Sequence, residues 1–442
     1  MTLFIRPAIT FALLAISFLA APAYAIDIKQ VKSPGGINAW LVEDHTNPII
    51  TLSFAWRGGA ALDPAGKEGL ANLVASSLDE GAGDLDSQAF QGKVEDLAAQ
   101  IHFRAGLESF TGTFAALSET QDEAFDLLRL AINKPRFDVD AINRMRRQIA
   151  SGLRRKTESP RDLASRELME QLFPSHPYRR DVDGTIESVP VIKIADMRQF
   201  MVERLARDNL IVAAVGDITP AQLEKRLDQL FAALPMKAKP WLLARPTPAA
   251  ADRVIVIEKA VPQSVIRWGQ GGILRKDPNF FAAYIMNHIL GGAGFESRLM
   301  SEIREKRGLA YSTSSSLSTL DQAGILVGAA DTRNDSAAKT VEVMRAEWQR
   351  LHDIGVTQDE LNDAKTYITG SYALQFTSSS AISSVLLGIQ LEELGIDYID
   401  RRDKLIAAVT MNDVNKVARS MLTPDKLTIV VVGKPDGITP KP

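Results

Sequence analysis

Two short aliphatic runs recur along this chain, each closed by a glycine. The first is Leu210-Ile211-Val212-Ala213-Ala214-Val215-Gly216 and the second is Leu427-Thr428-Ile429-Val430-Val431-Val432-Gly433. Uninterrupted apolar runs of this length, rich in β-branched residues, predict buried strands that end in turns. A helical pattern precedes each run, and Ala195-Asp196-Met197 answers Asn412-Asp413-Val414 at the same offset. Gly81-Ala82-Gly83 likewise answers Gly292-Ala293-Gly294, each after an apolar helical stretch. Positions 138–155 and 357–372 both read as long amphipathic helices opened by acidic residues, which suit the positive end of a helix dipole.

These correspondences describe one unit used twice. Strands and helices segregate within each half instead of alternating one for one. The fold class is therefore α+β, two homologous domains each built as a mainly antiparallel sheet covered by helices. A duplication of this length means paired domains, not a solenoid. Pro235, Pro240, Pro246 and Pro248 interrupt the pattern between the halves and mark a linker at 234–252. The domains are then 26–233 and 253–442.

Composition narrows the classes. The chain has 442 residues, 45% of them apolar, and a formal net charge of -3, enough for two cores and without the charge excess of a nucleic-acid binder. The Arg144–Lys156 cluster has helical spacing and reads as a solvated helix face. Residues 1–25 combine Arg6, an apolar run from Ile9 to Leu19, and Ala23-Tyr24-Ala25. That is the layout of a cleavable signal peptide, with a run too short for a comfortable membrane span. Export as a soluble periplasmic protein, free of the membrane after cleavage, is the expected outcome. There is no cysteine, so no disulfide contributes to the fold.

Candidate chemistry is sparse. Positions 69–76, Gly-Leu-Ala-Asn-Leu-Val-Ala-Ser, have the apolar frame of a helix that in zinc peptidases carries H-x-x-E-H, two histidines four apart with a glutamate base. The motif positions hold Asn72, Ala75 and Ser76, which supply neither imidazole nor carboxylate. No two of the five histidines, His45, His102, His176, His288 and His352, lie within a helical turn of each other. His176 sits in Pro174-Ser175-His176-Pro177-Tyr178, where a turn role is expected. The serine-rich stretches at 312–316 and 378–380 lack a paired base and read as polar strand or loop. Gly291-Gly292-Ala293-Gly294 lacks the ending of a phosphate loop and reads as a helix terminator.

One segment stands out, 297–312. It predicts a helix that ends at Gly308, with basic residues in its last turn, followed by a strand near Tyr311. Two readings of Arg307 and Tyr311 stand side by side. Arg307 serves the helix C-terminus while Tyr311 packs at the sheet edge, or both present hydrogen-bond donors to a peptide carbonyl.

The duplicated halves, the linker, the helix before Gly81, the Phe173–Tyr178 loop and the string Arg304-Glu305-Lys306-Arg307-Gly308-Leu309-Ala310-Tyr311 together resemble the pitrilysin/insulinase family of inverzincin metallopeptidases. The resemblance implies that Arg307 and Tyr311 hold the substrate carbonyl and its oxyanion. It implies a third zinc ligand near Ser151, Gly152 or Leu153, where no carboxylate stands; the nearest is Glu158. It further implies that this chain resembles the non-zinc, Arg/Tyr-bearing subunit of a bacterial heterodimeric member. It would hold no cofactor itself, pair with a zinc-bearing homologous subunit and act on unfolded peptides. The alternative is a non-catalytic peptide-binding or structural protein of the same descent.

Overall fold

The computed structural model describes residues 26–441, so the signal-peptide reading of 1–25 lies outside the described residues. Among the described residues eleven strands form two sheets. The first contains β1 (Lys29–Lys32), β2 (Asn38–Glu43), β3 (Ile49–Arg57), β4 (Gln100–Ala105), β5 (Ser109–Leu117) and β6 (Leu210–Gly216). The second contains β7 (Arg253–Glu258), β8 (Gln263–Gly271), β9 (Ala310–Thr319), β10 (Gly324–Arg333) and β11 (Thr428–Gly433). Their orders, β1-β2-β6-β3-β5-β4 and β7-β11-β8-β10-β9, superimpose once β1 is set aside. The two glycine-ended runs of the sequence are β6 and β11, in equivalent central places.

Each sheet is antiparallel except at one pair, β2 with β6 and β7 with β11. Both central runs are buried almost throughout, as expected for strands covered on two faces. The same packing device appears in each sheet. Gly112 on β5 leaves room for the Phe54 ring, and Gly328 on β10 for the Trp268 indole; a Cβ at either would lie 2.2 or 2.1 Å from ring carbon.

The halves exchange covering helices. Helix Pro160–Leu172 belongs to the first half by sequence, yet Ala164, Leu168 and Leu172 pack against Val265, Ile325, Val430 and Val432 of the second sheet. Helix Ser379–Leu391 of the second half places Leu386 and Leu387 on Ala55, Ala213 and Val215 of the first sheet. Ser383 and Ser53 share a 2.8 Å hydrogen bond within that contact, and the Arg57 guanidinium donates to the Leu391 carbonyl at 2.7 Å. Each sheet is thus built by its own half and covered in part by the other's.

The linker has no regular structure but is pinned. His176 Nε2 meets the Ala244 carbonyl at 2.9 Å, and the Ala249 N–H donates to Leu172. The His176 Nδ1 accepts from the Tyr178 N–H, which leaves the proton on Nε2 and the ring neutral; burial holds its pKa below the usual histidine value. No helix of the described residues is long and apolar enough to cross a membrane.

Candidate functional site

The helix that resembles a zinc-binding one is short, Leu70–Ala75. Gly69 opens it at φ +92°, and a side chain there would meet the Asp183 carbonyl at 2.7 Å. Asp63 caps it by accepting from the Gly69 and Ala71 N–H groups at 2.9 and 3.2 Å. Burial pushes the Asp63 carboxyl up to about 7, against the pull of those donors. The helix therefore survives as structure: Leu70, Ala71, Leu73, Val74 and Ala75 are all buried.

Its motif positions do not fit a metal. Ala75 is buried and carries no donor atom. Ser76 spends its hydroxyl hydrogen on the Asn72 carbonyl at 2.8 Å. The long helix Val139–Glu158 does pack on this one, where the third ligand was expected. Leu153 is buried there, and the exposed Ser151 accepts from Arg155 at 3.0 Å. Glu158 pairs with Lys259 of the second half. Among the described residues no group of three histidine, aspartate or glutamate side chains stands together as a metal site.

In the second half, the corresponding corner is built from unusually wide helical turns. Helix Phe280–Asn287 runs into a π-helical turn at His288–Gly292, and a second π turn follows at Met300–Glu305. The Ala293 N–H reaches the His288 carbonyl and the Lys306 N–H reaches Ser301, both five residues back. The glycine run thus terminates the first turn, as expected, but through this wider geometry. Such turns add a residue without adding a turn, so they re-aim the side chains that follow, and they concentrate at functional sites. Gly308, at φ +60°, then reverses the chain into β9.

Tyr311 enters β9 with its ring 84% exposed, so it does not pack at the sheet edge. Arg307 donates to the Glu302 carbonyl at 2.8 Å and to the Glu302 carboxylate, which also takes Lys306. Those hydrogen bonds hold Glu302 below the usual carboxylate range. Arg307 thus serves the helix end in this conformation. The cation beside Tyr311 is Arg304, on the second π turn. Its guanidinium lies 5.2 Å from the Tyr311 ring centre and 4.5 Å from that of Phe295, itself 63% exposed. Arg304 has no ion pair or side-chain hydrogen bond among the described residues. Stacked between two rings, it keeps its N–H edge free to donate.

Sequence reasoning passed over Arg304. It lies in the same basic string and differs from Arg307 only in distance from Tyr311, and which of the two turns toward the ring depends on a π turn that periodicity does not reveal. The remaining histidines stand apart from this corner or in pairs. His45 meets Asp217 at 2.7 Å, His352 meets Asp353 at 2.7 Å, and the buried His288 leans on the Tyr367 ring.

Comparison with known proteins agrees with this architecture. Residues 192–368 match the family model described as the peptidase M16 inactive domain. That match bears out the resemblance to the pitrilysin/insulinase peptidases. A crystal structure of a peptidase M16 inactive domain from Pseudomonas fluorescens matches with a TM-score of 0.87 and 29% identity, over 94% of this chain and 99% of that one. A Helicobacter pylori protein described as the non-peptidase homolog YmxG is 27% identical over 408 residues, 92% of this chain and 93% of its own. Bacillus subtilis YmxG, described as an uncharacterized zinc protease, is 21% identical over 90% of this chain.

Proposed function

We propose that this chain is the metal-free, non-peptidase subunit of a two-chain zinc peptidase, and that it presents Arg304 and Tyr311 to a substrate whose attacking water is activated on a zinc-bearing homologue. The observation that carries this reading is the exposed phenol of Tyr311 beside an unpaired guanidinium, on a chain whose own zinc helix holds Asn72, Ala75 and Ser76. A protein kept only for its shape has no need of two donors side by side on a helix–strand turn with no protein partner. The family match and the relatives described as zinc proteases are compatible with a zinc-bearing partner.

On this reading the Arg304 N–H groups and the Tyr311 O–H converge on the scissile carbonyl oxygen of an extended, unfolded peptide. Negative charge grows on that oxygen as the tetrahedral intermediate forms, and donors placed beforehand stabilise it more than they stabilise the ground state. Arg307 holds Glu302 and the turn, and so keeps Arg304 aimed. The partner supplies the metal-bound water and its base. Export by residues 1–25 places the work in the periplasm. The scaffold alternative draws on the H. pylori relative described as a non-peptidase homologue, but it leaves the Arg304–Tyr311 pair without a purpose.

Mixing the purified chain with the zinc-bearing homologue from the same genome tests the division of labour. Peptide cleavage is expected only in the mixture, with zinc recovered on the partner. Zinc-dependent cleavage by this chain alone contradicts it.

A further inference from the structure

The fold is built twice, but the corner around Arg304 is built once. Gly292-Ala293-Gly294 answers Gly81-Ala82-Gly83 at an offset of 211 positions, and the same offset sets Phe295, Arg304 and Tyr311 against Asp84, Lys93 and Gln100. Gln100 opens β4 as Tyr311 enters β9, and the two strands hold matching terminal places in their sheets. Asp84 is exposed at its turn, so the turn needs no ring for its shape. Of the two halves, the one with the guanidinium and the phenol is the one that has the ring.

Phe295 is the middle residue of a single tight helical turn, Gly294–Glu296, and that turn is anchored at both ends. Before it, the Ala293 N–H donates to the His288 carbonyl. After it, the buried Ser297 hydroxyl donates to the Gly294 carbonyl at 2.8 Å, while the Ser297 carbonyl accepts from the Ser301 N–H at 3.0 Å. A fixed turn gives the exposed ring a fixed place. Among the described residues that ring joins no apolar core cluster and no aromatic pair. The side chain it faces is Arg304, whose guanidinium carbon lies 4.5 Å from the ring centre.

We infer that Phe295 is a positioning residue for Arg304: its ring and that of Tyr311 clasp the guanidinium, so that the N–H edge is presented together with the Tyr311 phenol. This rests on the proposed function and deepens it by naming what aims its donor. An arginine on an exposed turn has many rotamers, and ordering it costs free energy. A carboxylate partner would fix the side chain but spend the N–H groups that the substrate oxygen needs. A ring face attracts the cation through its quadrupole and leaves the N–H edge free. The two arginines of the turn are thus held in different ways. Glu302 holds Arg307 by its donors, whereas the two rings hold Arg304 by its faces. Phe295 has no donor of its own and acts through Arg304.

The mixed peptidase and the full chain alone test this together. Phe295→Leu keeps an apolar side chain without a π face, and Phe295→Tyr keeps the face. At matched zinc content and complex size, Phe295→Leu is expected to lower kcat at least ~5-fold with KM changed less than about twofold, and Phe295→Tyr to keep the parent values. In magnetic resonance spectra of the chain alone, made with isotope-labelled arginine, the Arg304 Nε–H signal is identified by its loss in Arg304→Lys. Ring currents are expected to set it upfield, and it is expected to move downfield in Phe295→Leu but not in Phe295→Tyr. Parent kcat in Phe295→Leu, equal losses in both variants, a loss confined to KM, or an unmoved arginine signal overturns the inference. Full activity in Phe295→Leu beside a disabled Arg304→Ala removes the positioning role and leaves the proposed function standing. Full activity in Arg304→Ala removes both.

Discussion

Arg304 and Arg307 lie three positions apart on one short turn, and the fold gives them opposite surroundings. Arg307 is neutralised by Glu302; Arg304 lies between two exposed rings with its donors unspent. The presence of a basic, tyrosine-bearing turn was legible in the sequence, because Gly308 and the strand pattern after it mark where a helix must stop. Which arginine lies beside Tyr311 was not, because a π turn shifts side-chain direction without changing residue spacing. Glycines bring a second residue-scale expectation. Gly328→Ala drives a methyl group into the buried Trp268 indole, which has no room to retreat in a close-packed core. A loss of ~2 kcal/mol or more is expected in urea unfolding, within the range of overpacked cores; an unchanged midpoint contradicts this packing account.

At the scale of elements, strand identity was readable where burial was complete. β6 and β11 announce themselves as aliphatic runs, since both faces are covered. The exchange of helices was hidden, because an amphipathic helix shows that it has an apolar face but not whose sheet receives it. The polar seam between the halves was hidden for the same reason. There Glu108 accepts from the Asp321 N–H at 2.8 Å and from the Tyr178 hydroxyl, with Arg57, Lys276, Glu392 and Glu393 close by. Burial outweighs those donors and pushes the Glu108 carboxyl up to about 7 from its ordinary 4.5. A carboxyl with a raised folded-state pKa binds its proton more tightly in the folded chain. Its contribution is therefore fully present below about pH 4.5 and is lost as pH rises through 7. Glu108→Gln removes that titration. Relative to the variant, the parent chain should lose at least ~1 kcal/mol of stability between pH 5 and pH 8, after allowance for solvent screening. Parallel stability profiles for the two proteins would rule this out.

The whole molecule behaves as one body if the exchange is what joins it. Leu168 seals the second sheet from the first half, and Leu386 seals the first sheet from the second. Truncating either to alanine is expected to cost ~2–5 kcal/mol and to lower the stability of both halves together. Tryptophan supplies the readout, with Trp56 in the first core and Trp268 and Trp348 in the second. Separate denaturation midpoints for single-tryptophan variants would show instead that the halves unfold independently.

On the proposed function, this chain donates hydrogen bonds to a reaction whose metal lies on another chain. Arg304→Ala and Tyr311→Phe, each placed in the mixed peptidase, put this to the test through kcat at fixed zinc content and fixed complex size. Removal of a donor that acts on the developing oxyanion is expected to lower kcat by ~10²-fold or more, while Arg307→Ala, which acts through Glu302, costs less. Full activity in both Arg304→Ala and Tyr311→Phe, with the complex and its zinc intact, would contradict the claim.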